Sequence, residues 1–95
     1  MSTARRLLLV DDDDDLRSAL QDQLALHDEF EVQATNLAGK GIELAKASTP
    51  DLILFDVSLP DMDGREAVKL LRKGGFRNPI SVSYTHLTLP TIYSV

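Results

Sequence analysis

The sequence predicts a single α/β domain built on an open, doubly wound parallel sheet. Three observations lead there. Short apolar runs alternate with segments of helical periodicity, two of the runs (7–10 and 52–55) pass directly into aspartate, and nothing resembling a repeat or linker interrupts the alternation before residue 80. Alternation of this kind implies parallel strands joined by right-handed crossovers, with helices on both faces.

Residues 5–10 (RRLLLV) read as a short buried strand, a continuous apolar run cut off by turn formers. From Asp14 to Leu26 the apolar positions Leu16, Ala19, Leu20 and Leu24 share one helical face. Asp14 and Asp15 stand at its start, where an acidic side chain caps free N–H groups and suits the dipole. Residues 30–34 (FEVQA) alternate and predict a strand near the sheet edge. Residues 37–47 (LAGKGIELAKA) predict a second helix despite two glycines, stopped by Thr49-Pro50. Residues 51–56 (DLILFD) repeat the first pattern, an apolar strand ending in Asp. Residues 64–73 (GREAVKLLRK) predict a third helix with Ala67, Val68 and Leu71 inward, ended by Gly74-Gly75. Asn78-Pro79-Ile80 opens a fourth strand.

Composition bounds the function. Ninety-five residues make one small domain, and 43% hydrophobic residues is ordinary for a globular core. A net charge of −5 argues against non-specific binding to nucleic acid or an anionic membrane. The absence of cysteine excludes disulfides, thiol nucleophiles and Cys-based zinc sites. Arg5 and Arg6 precede only four apolar residues, too few for a signal peptide core, and no segment approaches a membrane span. The expectation is a soluble cytoplasmic protein.

The chemistry lies in the acids. Four apolar residues run straight into Asp11-Asp12-Asp13-Asp14-Asp15. Two unit charges about 4 Å apart repel by roughly 4 kcal/mol at an intermediate dielectric, so such a run needs solvent, a cation or a helix N-terminus. In an open parallel sheet, ligands bind beyond the carboxyl ends of the strands. Asp11 and Asp12 follow the first strand and Asp56 closes the third. If those strands are neighbours, roughly 4.8 Å apart, the carboxylates converge in one crevice. Oxygen-only ligands in a partly open site suit Mg²⁺, which keeps several waters.

LLLVDDDDDLR and DLILFDVSLPDMDGREAVKLLR together resemble the receiver domain of two-component response regulators, a flavodoxin-like fold with strand order 2-1-3-4-5. The first stretch resembles the family's acidic-pair strand end. The second resembles its phosphoacceptor strand, loop and third helix, including Pro60 and Asp63-Gly64. The resemblance covers residues 5–80. It implies that Asp56 is the phosphoacceptor, that Asp11 and Asp12 are the acidic pair with Asp12 the more direct Mg²⁺ ligand, and that the backbone carbonyl of Ser58 is a further ligand. It also implies a sensor histidine kinase as phosphodonor, a signalling domain rather than an enzyme, and DNA contact only through an output domain of a longer parent. Asp13 to Asp15 match no functional position and are left as helix start and solvated surface.

Rival motifs fail on spacing. The Asp-x-Asp of Asp-nucleophile phosphatases lacks its second acid, because Ser58 stands there. An EF-hand around Asp61-Met62-Asp63-Gly64 would place Leu59 and Leu70 at its first and twelfth positions. A P-loop around Gly39-Lys40 has Ala34 for its first glycine and Gly41 where Ser or Thr is needed. A dinucleotide fingerprint from Gly39 and Gly41 meets Leu44 at its third position. The functional alternatives kept open are a Mg²⁺-dependent Asp-nucleophile phosphohydrolase and a receiver-like binding module that is never phosphorylated. His27 is expected to be an exposed helix-end residue, and Lys69, Arg72 and Lys73 a solvated helix face.

The end of the chain departs from the family. Its switch Ser/Thr falls at Tyr84, flanked by Ser83 and Thr85, and no Lys or Arg follows Arg77 to supply the phosphate-binding lysine. Val82 to Thr91 (VSYTHLTLPT) matches one reading frame of a transposase-type sequencing adapter. The expectation is a partial receiver domain over 1–80, incomplete after the start of strand four, and a non-native tail over 81–95. A divergent β-rich C-terminus is the alternative, since Thr, Tyr, Ile and Val favour strands. A sheet with an uncovered flank is expected to be partly molten or aggregated.

Overall fold

The computed structural model describes residues 4–57, 59–83 and 91–93, with the backbone course alone for 83 and 91–93. The chain runs β1 (Arg5–Val10), α1 (Asp14–Ala25), β2 (Phe30–Thr35), α2 (Ala38–Ser48), β3 (Leu52–Asp56), α3 (Gly64–Lys73), β4 (Ile80–Ser83) and β5 (Thr91–Tyr93). Sheet order is β2-β1-β3-β4-β5. The first four strands are parallel, with Val10 opposite Phe55 and Asp56 opposite Ser83. This is the predicted doubly wound sheet, with the strand that alternates polar and apolar residues at one edge. β5 departs from the parallel pattern: it pairs antiparallel to β4, with Val82 opposite Thr91. Residues 80–83 and 91–93 thus add to the sheet beyond the predicted start of strand four, although they fall largely in the segment expected to be a non-native tail.

The two faces of the sheet are unequally covered. Leu8 and Val10 of β1, Ile53 and Phe55 of β3, and Ile80 and Val82 of β4 alternate onto one face. There they meet Ala38 and Ala45 of α2 and Ala67, Val68 and Leu71 of α3, which form one buried cluster. The α3 residues predicted inward are the ones buried. The close approach of α2 needs glycine: a Cβ on Gly41 would stand 2.7 Å from Val10 Cγ2. The opposite face holds Leu7 and Leu9, both buried, and the half-buried Leu54. It is served by α1, which buries none of its own residues. The predicted face of Leu16, Ala19, Leu20 and Leu24 is therefore only partly used, and Leu16 remains 41% exposed.

Local chemistry explains the element ends. Asp13, not Asp14 or Asp15, caps α1, its carboxylate accepting from Leu16 N–H at 3.0 Å. Asp13 is the residue with extended backbone at the helix entrance, so only its side chain can turn back to the first turn. α2 ends at Thr49 in the left-handed region (φ 47°), and α3 runs out through Gly74 to Gly75 at φ 99°, a conformation open to glycine. Arg72 is not a merely solvated residue. Its guanidinium donates to the carbonyls of Phe76 (2.9 Å) and Asn78 (2.8 Å), tying the end of α3 to the turn before β4.

Candidate functional site

β1 and β3 are parallel neighbours, so both present their carboxyl ends at the same rim. Asp11 prolongs the β1 ladder by donating its N–H to Thr35 O (3.1 Å). Its Oδ1 accepts from Asp13 N–H (2.9 Å), which curls the chain back and leaves Asp12 exposed at the crevice. Asp56 ends β3. The structure brings Asp11, Asp12 and Asp56 together, one carboxylate oxygen from each lying within 4.8 Å of the others. Asp11 and Asp56 are 4% and 1% exposed.

Burial pushes the Asp11 carboxyl above its ordinary range. The Asp13 N–H opposes that shift, the charges of Asp12 and Asp13 add to it, and Arg17 opposes it. Arg17 was not singled out in the sequence. Its guanidinium donates to the Asp11 backbone carbonyl (2.7 Å) and pairs with Asp14, pinning the acidic turn from the first turns of α1. Its partner is a backbone oxygen, which leaves no trace in a residue pattern.

The loop after Asp56 is tied at several points. Gly64 N–H donates to Val57 O (3.0 Å), closing the loop at its base. A Cβ on Gly64 would stand 2.5 Å from the Asp56 carbonyl oxygen, so the turn that begins α3 admits only glycine. Leu59 is buried in the core. Asp63 caps α3 through Arg65 N–H (2.8 Å) and pairs with the Arg65 guanidinium, which holds its carboxyl below the ordinary range. Asp61 accepts from Ala38 N–H (2.8 Å) and Gly39 N–H (2.9 Å) at the start of α2. Those two amides, Gly39 foremost, hold its carboxyl low as well. No local pattern marks Asp61 for this role, because its partners lie more than twenty residues away. Ser58, the residue whose carbonyl was expected to be a ligand, lies outside the described residues.

Three carboxylates, two of them withdrawn from water, offer an oxygen-only donor set with one solvent-facing side. Hard divalent cations such as Mg²⁺ are held in this way, by one or two carboxylates with water completing the shell. The residues present fit such an ion.

Residues 7–91 match the response regulator receiver domain family. The chain belongs to that family. It is 32% identical over 91 residues to the regulatory protein AtoC of Escherichia coli (strain K12), covering 96% of this chain and 20% of AtoC. It is 36% identical over 77 residues to the cell cycle response regulator CtrA of Brucella ovis, covering 81% of this chain and 33% of CtrA. The chain thus spans about a fifth to a third of the length of these relatives. A two-component response regulator of the LuxR family from Aurantimonas sp. SI85-9A1 superposes with a TM-score of 0.79 at 27% identity, over 88% of this chain and 61% of that one. As a receiver domain, the chain is a signalling module of two-component systems, and its parallel sheet is the receiver fold.

Proposed function

We propose that this receiver domain is a phosphoacceptor switch, in which a phosphoryl group passes from the phosphohistidine of a sensor histidine kinase to Asp56. The observation that carries the reading is the meeting of Asp11, Asp12 and Asp56 at the carboxyl ends of β1 and β3. Asp11, Asp12, Asp56 and the Ser58 backbone carbonyl would hold Mg²⁺, with Asp12 the more direct ligand. When bound, that ion supplies neutralisation of the charge spread over the transferring oxygens. The chain's own residues do the rest. The Asp56 carboxylate attacks phosphorus. The P–O bond forms as the P–N bond breaks, and the imidazole leaves with the electron pair and takes a proton from solvent. Asp11, its backbone carbonyl held by Arg17 and its carboxyl group by Asp13 N–H, is kept in place beside the nucleophile. The acyl phosphate that results biases the loops beyond the strands between two arrangements.

Incubation with a small phosphodonor and Mg²⁺ tests the reading. A base-labile, acid-stable label that Asp56→Asn abolishes is the expected result. Many turnovers of donor would favour an Asp-nucleophile phosphohydrolase, and no Mg²⁺-dependent label a binding module.

The reading extends to the setting. A net charge of −5 supports DNA contact only through a separate output domain of a parent protein. No described helix is long and apolar enough to cross a membrane, which supports a cytoplasmic site of action. We propose further that the native domain sequence covers 1–80 and that residues 81–95 are adapter-derived. An independent, longer copy of the gene that also encodes YTHLTLPT after Ile80 would refute this.

A further inference from the structure

The loop that follows Asp56 reaches sideways to a second element. Asp61, at its tip, straddles the first turn of α2 with both carboxylate oxygens. Leu37 occupies the N-cap position of α2 with extended backbone (φ −124°, ψ 138°) and makes no side-chain capping bond. A local Ser or Asp there would cap the same turn through the amide of Gly39 or Lys40. The chain instead has a leucine at that position and draws the cap from the loop of the phosphoacceptor strand. α2 in turn seats on the ends of both acid-bearing strands. The Cβ position of Gly41 lies 2.7 Å from Val10 Cγ2 and 3.6 Å from Phe55 Cζ, the residues immediately before Asp11 and Asp56. A local cap would stabilise α2 alone. A cap drawn from this loop makes the position of α2 and the position of the loop one variable.

We propose that Asp61 is a positioning residue for the cation site, tying the loop after Asp56 to the first turn of α2 so that cation binding and the ordering of α2 form one linked equilibrium. The inference rests on the cation reading above and adds a residue and a coupling to it. Linkage is reciprocal: if the tie orders the loop for the cation, the cation must order the first turn of α2.

The test uses the whole chain, Mg²⁺ alone as ligand, titration calorimetry, thermal melting and amide hydrogen exchange. Asp61→Ala should lower Tm and weaken Mg²⁺ binding about fivefold, the lower end of usual coupling strengths. The deciding variant is Leu37→Asp with Asp61→Ala. It returns a carboxylate cap to α2 locally, keeps the net charge of the parent and leaves the loop untied. Tm should recover while Mg²⁺ affinity stays about fivefold weak. In the parent, Mg²⁺ should slow exchange at the amides of Ala38 and Gly39, and in the double variant it should not. Recovery of Mg²⁺ affinity along with Tm would reduce Asp61 to a helix cap and overturn the proposal. Unchanged exchange at Ala38 and Gly39 in the parent would do the same. If the parent binds no more Mg²⁺ than Asp56→Asn does, the cation reading itself falls, and the coupling with it.

Discussion

Asp11 works against folding at neutral pH. It is buried beside Asp12, and its carboxyl is pushed up because burial disfavours the charge. Asp11→Asn keeps an acceptor for the Asp13 N–H and removes that charge. It is expected to stabilise the cation-free chain, because the buried charge is gone, and to abolish the rise in Tm with added Mg²⁺. At a hundredfold excess over Kd that rise corresponds to about 2.7 kcal/mol, and EDTA should reverse it. A calorimetric melt with and without Mg²⁺ checks both parts. The pH dependence has two opposing signs. The raised Asp11 gives a penalty that is present above its folded pKa and relieved as pH falls towards the ordinary carboxylate value near 4. Asp61 and Asp63 are lowered, so their contribution is present above that ordinary value and is lost as pH falls through their folded pKa values. Tm should therefore rise as pH falls from the folded pKa of Asp11 towards about 4, and drop at lower pH. In Asp11→Asn the rise should vanish and the acid drop remain.

At the scale of elements, α2 offers a contrast between two glycines on one helix. Alanine is favoured over glycine in a helix by about 1 kcal/mol. At Gly39 the new Cβ would meet Asp61 Oδ2 at 3.4 Å, near ordinary contact. At Gly41 it would stand 2.7 Å from Val10 Cγ2, inside the core. Gly39→Ala is expected to be neutral or stabilising by up to about 1 kcal/mol, and Gly41→Ala destabilising by about 1–3 kcal/mol through overpacking. Urea unfolding of the two variants decides it. α1 and α3 make a second contrast. Both carry a helical apolar pattern, but α3 buries Ala67, Val68 and Leu71 while α1 buries nothing. The spacing of Leu16, Ala19, Leu20 and Leu24 states which side would turn inward. It does not state whether a surface is there to receive it.

Across the whole molecule, stability is concentrated on one side. The face of β1, β3 and β4 that meets α2 and α3 holds the continuous core. The other face leaves Leu54 half-buried and Leu16 exposed along a groove with Leu9, Leu20 and Ser81. Regions with few buried apolar contacts open first. Amide exchange is expected to be fastest in α1 and edge strand β2, and slowest in β1 and β3. Uniform protection across α1 and β3 would contradict this. The half-covered face is also the surface through which the chain should self-associate as concentration rises.

Sequence by itself determined the order and type of the elements through β4, and it placed acids where parallel strands end. Those features are local: an apolar run that stops at Asp11 or Asp56, a 3.6-residue period in α3, a left-handed exit at Gly75. Helical crossovers make the joined strands parallel, so Asp11, Asp12 and Asp56 could be placed at one rim from the sequence; that β1 and β3 are neighbours was implied by the family resemblance and is shown by the sheet order. Tertiary structure alone decided the rest. The Asp61 tie to α2, the Arg17 bond to the Asp11 carbonyl and the Arg72 bonds beyond α3 all end on backbone atoms, which every residue carries. The antiparallel sense of β5 is of the same kind, since strand propensity has no direction. A pattern of side chains can announce what a segment would bury or bind, but which backbone groups stand opposite it is settled only when distant segments pack.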